Sequence, residues 1–83
     1  MIKAIAFCES HKYRLSKPRE YVLKIITESR KPIGAYEILA KLGRTINNPK
    51  PPTVYRAIEF WQSHNFIHRI ESLNAFVACE ADH

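Results

Sequence analysis

The 83-residue sequence has only two glycines and two cysteines. With glycine so scarce, no glycine-rich loop is available to cradle a nucleotide's phosphates, and no nucleophile stands in a clear arrangement with a base and an orienting group. The sequence therefore reads as a binding protein and not an enzyme, with no small-molecule substrate. Cys8 and Cys79 lie far apart and make no disulfide framework of the kind small secreted domains rely on. No apolar run is long enough to cross a membrane. The opening Met1-Ile2-Lys3-Ala4-Ile5-Ala6-Phe7 is short, is interrupted by Lys3 and then Glu9, and lacks the cleavage site of a signal peptide. These absences point to the cytoplasm. Internal repeats and low-complexity tracts are missing too.

Acidic residues are outnumbered, 8 against 13 lysines and arginines, for a formal charge of +5. A small basic chain suits an anionic partner: nucleic acid, an acidic protein or an anionic membrane. The length allows one domain, residues 1–83, burying roughly 60% of its unfolded surface. An apolar content of 46% is ordinary for a folded domain.

Helical periodicity dominates the first three quarters of the chain. Residues 2–12 carry a weak pattern through Ile2, Ile5 and Ala6. Ser16 is placed to cap a second helix, with Pro18 in its first turn and Val22, Ile25, Ile26 and Ser29 at helical spacing, until Lys31-Pro32 stops it. Gly34 opens a third helix with the stripe Ala35, Ile38, Leu39 and Leu42, and Gly43 ends it. A loop from Thr45 to Pro52 leads to a fourth helix over about Pro52–His64. There Val54, Ala57, Ile58 and Trp61 fall at i, i+3, i+4 and i+7, and Asn65 follows in the helix-ending position.

The tail changes period. Phe66–Glu71 and Ala75–Cys79 read as strands around the turn Ser72-Leu73-Asn74. The fold class is thus mainly α with a small antiparallel β-hairpin. Helices three and four form a helix-turn-helix pair and the hairpin its wing: a winged helix-turn-helix.

A recognition helix must bury one face and offer side chains from another near its N-terminus. On the fourth helix, Tyr55 and Arg56 lie about 100° and 200° round from Val54. Arg56 is suited to guanine or to a phosphate, and Tyr55 to a thymine methyl or a phosphate. Tyr36 sits off its own helix's stripe and can reach the backbone. Thr53 stands at the same helix opening, and Lys17, Arg19 and Lys50 are phosphate candidates. Periodicity alone leaves open that Tyr36 and Tyr55 cap the core and that Arg56 is merely solvated.

Lys50-Pro51-Pro52-Thr53-Val54-Tyr55-Arg56-Ala57, followed by Phe66-Ile67-His68-Arg69-Ile70-Glu71-Ser72-Leu73-Asn74-Ala75-Phe76-Val77-Ala78-Cys79, resembles the ferric-uptake-regulator superfamily and most of all its zinc-uptake-regulator branch. Ala35-Tyr36-Glu37-Ile38-Leu39 fits the preceding helix. Two departures stand out: Pro18 is displaced by one from the family's usual Leu-Thr-Pro-Gln-Arg entry, and Asn65 replaces a frequent glycine. The resemblance implies sequence-specific binding to a double-stranded operator by a metal-responsive, zinc-type transcriptional repressor. Iron or peroxide sensing and a winged-helix protein-interaction module are the alternatives. It further implies a homodimer in the full-length protein, with residues 1–83 the N-terminal piece and a C-terminal metal-binding and dimerisation domain absent. Tyr36, Tyr55 and Arg56 match family positions that contact DNA, and His68 and Cys79 match two ligands of a regulatory zinc site.

Zinc takes about four ligands. If Leu73-Asn74 is a two-residue loop, Ser72 pairs with Ala75, and counting outward sets His68 directly opposite Cys79, about 5 Å apart at Cβ. Two ligands do not make a tight site; Glu80, Asp82 and His83 add little. For these 83 residues a surface histidine beside a half-buried cysteine is the favoured reading, with zinc belonging to the longer parent. His11 and His64 read as surface residues and Cys8 as a small core residue.

Overall fold

A computed structural model of the chain describes residues 2–78. The order is α1 (Ile2–Ser10), α2 (Lys17–Glu28), α3 (Ala35–Leu42), α4 (Pro51–Ser63), β1 (Ile67–Ile70) and β2 (Ala75–Ala78). The mainly helical winged helix-turn-helix expected from the periodicities is the architecture found. Among the described residues no helix is long and apolar enough to cross a membrane.

The helix boundaries follow local chemistry. Ser16 occupies the cap position of α2 with extended backbone, but its hydroxyl makes no capping bond; Pro18 sits in the first turn. The helix ends at Glu28, before the Lys31-Pro32 breaker, where the Ser29 N–H donates to the Ile25 and Ile26 carbonyls. Gly34 opens α3 as expected, and Gly43 closes it in a right-handed conformation, φ −62°. Gly43 thus ends the helix without using glycine's left-handed freedom. That conformation falls on asparagine instead: Asn48 (φ 52°), Asn65 (66°) and Asn74 (49°), with Lys12 at 60°. Asparagine tolerates it better than most residues because its short side chain bonds locally. The α4 helix begins at Pro51, one residue earlier than expected, with Lys50 at its cap position.

The predicted stripes of α3 and α4 are the ones that pack. Ile38 and Leu42 are buried on α3, and Val54, Ala57, Ile58 and Trp61 on α4. On α2 the buried set is Val22, Leu23 and Ile26, with Ile25 only half-buried. For α1 the expectation fails: Ile5 and Ala6 are exposed, and Ala4 and Cys8 face the core with Phe7 against them. Phe7 decides this choice. Its ring lies 5.2 Å from Phe66 and 5.7 Å from Tyr13, and turning Ile5 inward would take that larger aromatic surface out of contact. Cys8 is a buried free thiol, as expected of a small core residue.

His64 also departs from expectation. It is half-buried, with ring centroids 4.8 Å from Phe60, 4.9 Å from Phe7 and 5.0 Å from Tyr13. The last turn of α4 thus joins an aromatic cluster that periodicity on α4 alone does not reveal. His11 is exposed.

The hairpin register differs by two residues from the expected one. His68 pairs with Val77 and Ile70 with Ala75, so the turn is the four residues Glu71–Asn74. Two-residue hairpin loops favour positive φ at both central positions or glycine at the first, and Leu73 suits neither. Instead Leu73 N–H donates to the Ile70 carbonyl and Asn74 N–H to the Glu71 carbonyl, with left-handed Asn74 closing the turn. The expected His68–Cys79 pair is therefore replaced, since Val77 takes that place opposite His68; Cys79 itself lies outside the described residues, as do Glu80, Asp82 and His83. A third backbone segment joins the sheet: Ile33 N–H donates to the Phe76 carbonyl at 3.0 Å and Phe76 N–H to the Ile33 carbonyl at 2.8 Å.

Candidate nucleic-acid interface

The Pro51-Pro52 pair starts α4 with two residues that have no N–H to leave unsatisfied and whose φ is already helical. The core stripe then fixes the helix's rotation. Because Val54, Ala57, Ile58 and Trp61 must face inward, Tyr55 and Arg56 must face out, and both are exposed. The rotation is also pinned across the domain. The buried Trp61 indole donates from Nε1 to the Arg19 carbonyl at 2.7 Å, tying α4 to the start of α2.

The two tyrosines that periodicity could assign either to the core edge or to the surface are surface residues. Tyr36 is 86% exposed and Tyr55 54%, more than a core-capping ring would show. They meet at one place: an apolar notch of about 100 Å³ between α3 and α4, lined by Tyr36 and Tyr55 with Ala35, Leu39, Pro51 and Val54. Thr53 is half-buried in the first turn of α4, its N–H donating to the Lys50 carbonyl at 3.0 Å. Lys50 and Lys17 are exposed at the openings of α4 and α2.

Arg19 is differently placed from the other cations. It is half-buried, its Nη1 donates to the Arg14 carbonyl at 2.7 Å, and its guanidinium carbon lies 3.9 Å from the centroid of Phe60. It lines a recess with Arg14, Thr53 and Arg56. Arg14 did not emerge from the sequence because it lies in the irregular segment between α1 and α2, where no periodicity assigns a face. Arg69 was missed too, although it lies on a strand that the alternation of the tail assigns. It sits on β1 and donates from Nη2 to the Asn74 side-chain oxygen at 2.8 Å, bracing the turn of the wing. Between α4 and the wing runs a mixed groove of about 310 Å³, with Tyr55, Glu59, Gln62 and Arg69 along it.

His68 is exposed on β1. Among the described residues no three histidine, cysteine or carboxylate side chains come together as a metal site. The described part of the chain therefore supplies at most part of the ligand set zinc demands.

No family profile matches the sequence. The zinc uptake regulation protein of Escherichia coli (strain K12) is 35% identical over 79 residues, which is 95% of this chain and 46% of that protein, and the same figures hold for its namesake in Shigella flexneri. The chain thus spans about half the length of the curated relatives it matches. Among solved structures, a zinc uptake regulator complexed with zinc and DNA is 35% identical with a TM-score of 0.89, over 95% of this chain and 53% of that one. Holo XcZur is 41% identical with a TM-score of 0.80, over 95% and 55%. The Helicobacter pylori ferric uptake regulator, 20% identical at a TM-score of 0.81 over 98% and 56%, shares the fold. Since the winged-helix architecture and its surface tyrosines are carried on a sequence this close to zinc uptake regulators, the chain belongs to the ferric-uptake-regulator superfamily, in its zinc-uptake-regulator branch, and corresponds to the N-terminal domain of those proteins.

Proposed function

We propose that this domain is the DNA-reading head of a zinc-responsive transcriptional repressor, bound as a homodimer to a double-stranded operator in the cytoplasm. The observation that carries the reading is the notch where exposed Tyr36 and Tyr55 meet at the α3–α4 junction, with Arg56 beside Tyr55 on the outward side of α4. A helix held on its inner face by a packed core and offering tyrosine and arginine at its opening suits entry into a major groove. The basic balance of the chain adds a sequence-independent attraction to phosphate. The likeness to a regulator complexed with zinc and DNA supports the same reading.

In this reading Arg56 and Tyr55 read base edges, Tyr36 and Thr53 set the register, and Lys17 and Lys50 hold the backbone. The Arg19 carbonyl fixes the start of α2 against α4, which leaves its side chain to face phosphate. Chemistry on a substrate plays no part: the domain works by binding. Zinc belongs to the longer protein, where it would close a site to which His68 and Cys79 contribute. A single head without its dimer partner loses the avidity of two linked modules and binds one half-site weakly.

The test is fluorescence anisotropy on a duplex recovered with this chain by selection from a random pool. Arg56→Ala is expected to weaken binding by about 1–3 kcal/mol, roughly 5- to 150-fold, and to relax the preference at one base position. Failure of the chain to enrich any sequence, or unchanged affinity in the variant, would overturn the assignment.

A further inference from the structure

The recess beside the opening of α4 has a composition that DNA reading by α4 does not explain. It has a volume of about 300 Å³, and its polar wall is Arg14, Arg19, Arg56, Ser16 and Thr53. Three arginines line one small space, and no carboxylate lines it. Like charges gathered this way repel one another and favour an anion between them. The volume admits one tetrahedral oxyanion with a few waters, given that a water occupies about 30 Å³ in the liquid.

The recess is also partly preorganised. Arg19 is held from two sides, by the Arg14 carbonyl at 2.7 Å and by the face of Phe60 at 3.9 Å. Its own carbonyl receives the Trp61 indole, so the backbone at that point is fixed as well. A guanidinium whose orientation is set during folding loses little further freedom when it meets a ligand. Arg14 and Arg56 are exposed and line the same space. The Ser16 and Thr53 hydroxyls have no hydrogen-bond partner on the protein among the described residues.

We propose that this recess is a phosphate seat, in which one phosphoryl oxyanion is held between the fixed Arg19 and the exposed Arg14, with Ser16 and Thr53 donating from the wall and Arg56 at its rim. Its occupant is a backbone phosphate when DNA is bound, which rests on the function proposed above, and a free phosphate of the same chemistry when DNA is absent.

The experiment is an amide NMR titration of the 83-residue chain with inorganic phosphate, against sodium chloride at matched ionic strength. Phosphate is expected to give saturable shifts at Thr53, Arg56 and Arg19, where chloride gives only a shallow linear drift. Arg14→Gln and Arg19→Lys should each weaken phosphate binding at least threefold; Arg19→Lys keeps the charge and loses the planar fork. Lys31→Gln, which removes one charge away from the recess, should leave the titration as in the parent. A second arm measures duplex binding against salt, where Arg14→Gln should lower the slope of log affinity on log salt by about one. Phosphate at fixed ionic strength should compete with the duplex. Phosphate shifts no larger than those from chloride, or arginine variants that titrate like the parent, overturn the seat. A seat that saturates with phosphate in a chain that binds no duplex keeps the recess and removes the DNA reading. A duplex bound with an unchanged slope in Arg14→Gln, together with absent phosphate shifts, does the reverse.

Discussion

Trp61→Phe isolates the contact that orients α4. Trp61 is fully buried, and its Nε1–H is bonded at 2.7 Å to a carbonyl at the start of α2. Trimming indole to phenyl removes two buried carbons, about 1.5 kcal/mol at roughly 0.8 kcal/mol each. It also removes the hydrogen bond and leaves the part-buried Arg19 carbonyl without that donor, a further 1–2 kcal/mol or so. The sum is about 3 kcal/mol, a large share of the roughly 4–12 kcal/mol total expected for a domain of this length. At this size each kcal/mol moves the midpoint by about 4–8 °C, so the melting temperature should fall by roughly 15 °C. Circular dichroism melts and urea titrations of the two proteins measure this directly. Well below its own midpoint the variant should keep duplex affinity within a few-fold, because Trp61 faces away from Tyr55 and Arg56. A midpoint shift under about 4 °C would refute the claim that the indole and its bond hold α4 in place.

The opposite separation is expected at the surface: Tyr36→Ala and Arg56→Ala should leave urea midpoints nearly unchanged, within about 0.5 kcal/mol, while weakening duplex binding; an equal loss of both properties would mean that these side chains serve the fold. Asn65→Ala should cost about 1 kcal/mol, since φ is 66° there, and Asn65→Gly should recover it; thermal melts of the three proteins decide. Burial pushes the Cys8 thiol up from its ordinary range, with the charge of Arg19 pulling partly against it. The folded chain therefore holds that proton more tightly than the unfolded one, and the stability this contributes is lost as pH rises through and above the ordinary thiol range. Melts from neutral to alkaline pH should show a decline that Cys8→Ala makes shallower, and identical slopes would count against the burial argument.

Elements whose periodicity acts along one helix were legible from sequence. The α3 and α4 stripes, the Gly34 and Asn65 boundaries and the outward Tyr55-Arg56 pair follow from which side chains a single helix places together. What failed depended mostly on partners outside the element itself. The inward face of α1 is chosen by Phe66 and Tyr13 through Phe7, and no pattern within residues 2–12 contains those rings. His64 is enclosed for the same reason. The hairpin register turned on the backbone of Leu73, where a two-residue loop asks for a conformation the side chain resists. Arg19 carries the sharpest lesson for the site. Its charge suggested a phosphate contact, and its carbonyl and its stacking on Phe60 add a positioning task that composition does not encode.

The pairing of Ile33 with Phe76 has a kinetic consequence. These two residues are separated in sequence by the whole of α3, α4 and β1, yet their amides bond reciprocally. Closing so long a loop is costly before the intervening helices have packed. The wing should therefore dock late in folding, on a helical core already assembled. Once docked, its inner amides can open only when that core does. Hydrogen exchange at Ile33 and Phe76 should then follow global unfolding, while the turn amides of Leu73 and Asn74, a few residues away, exchange through local opening. The wing's strand and the wing's tip would live on different timescales: one rigid enough to keep its angle to α4, the other free to adapt to what it touches.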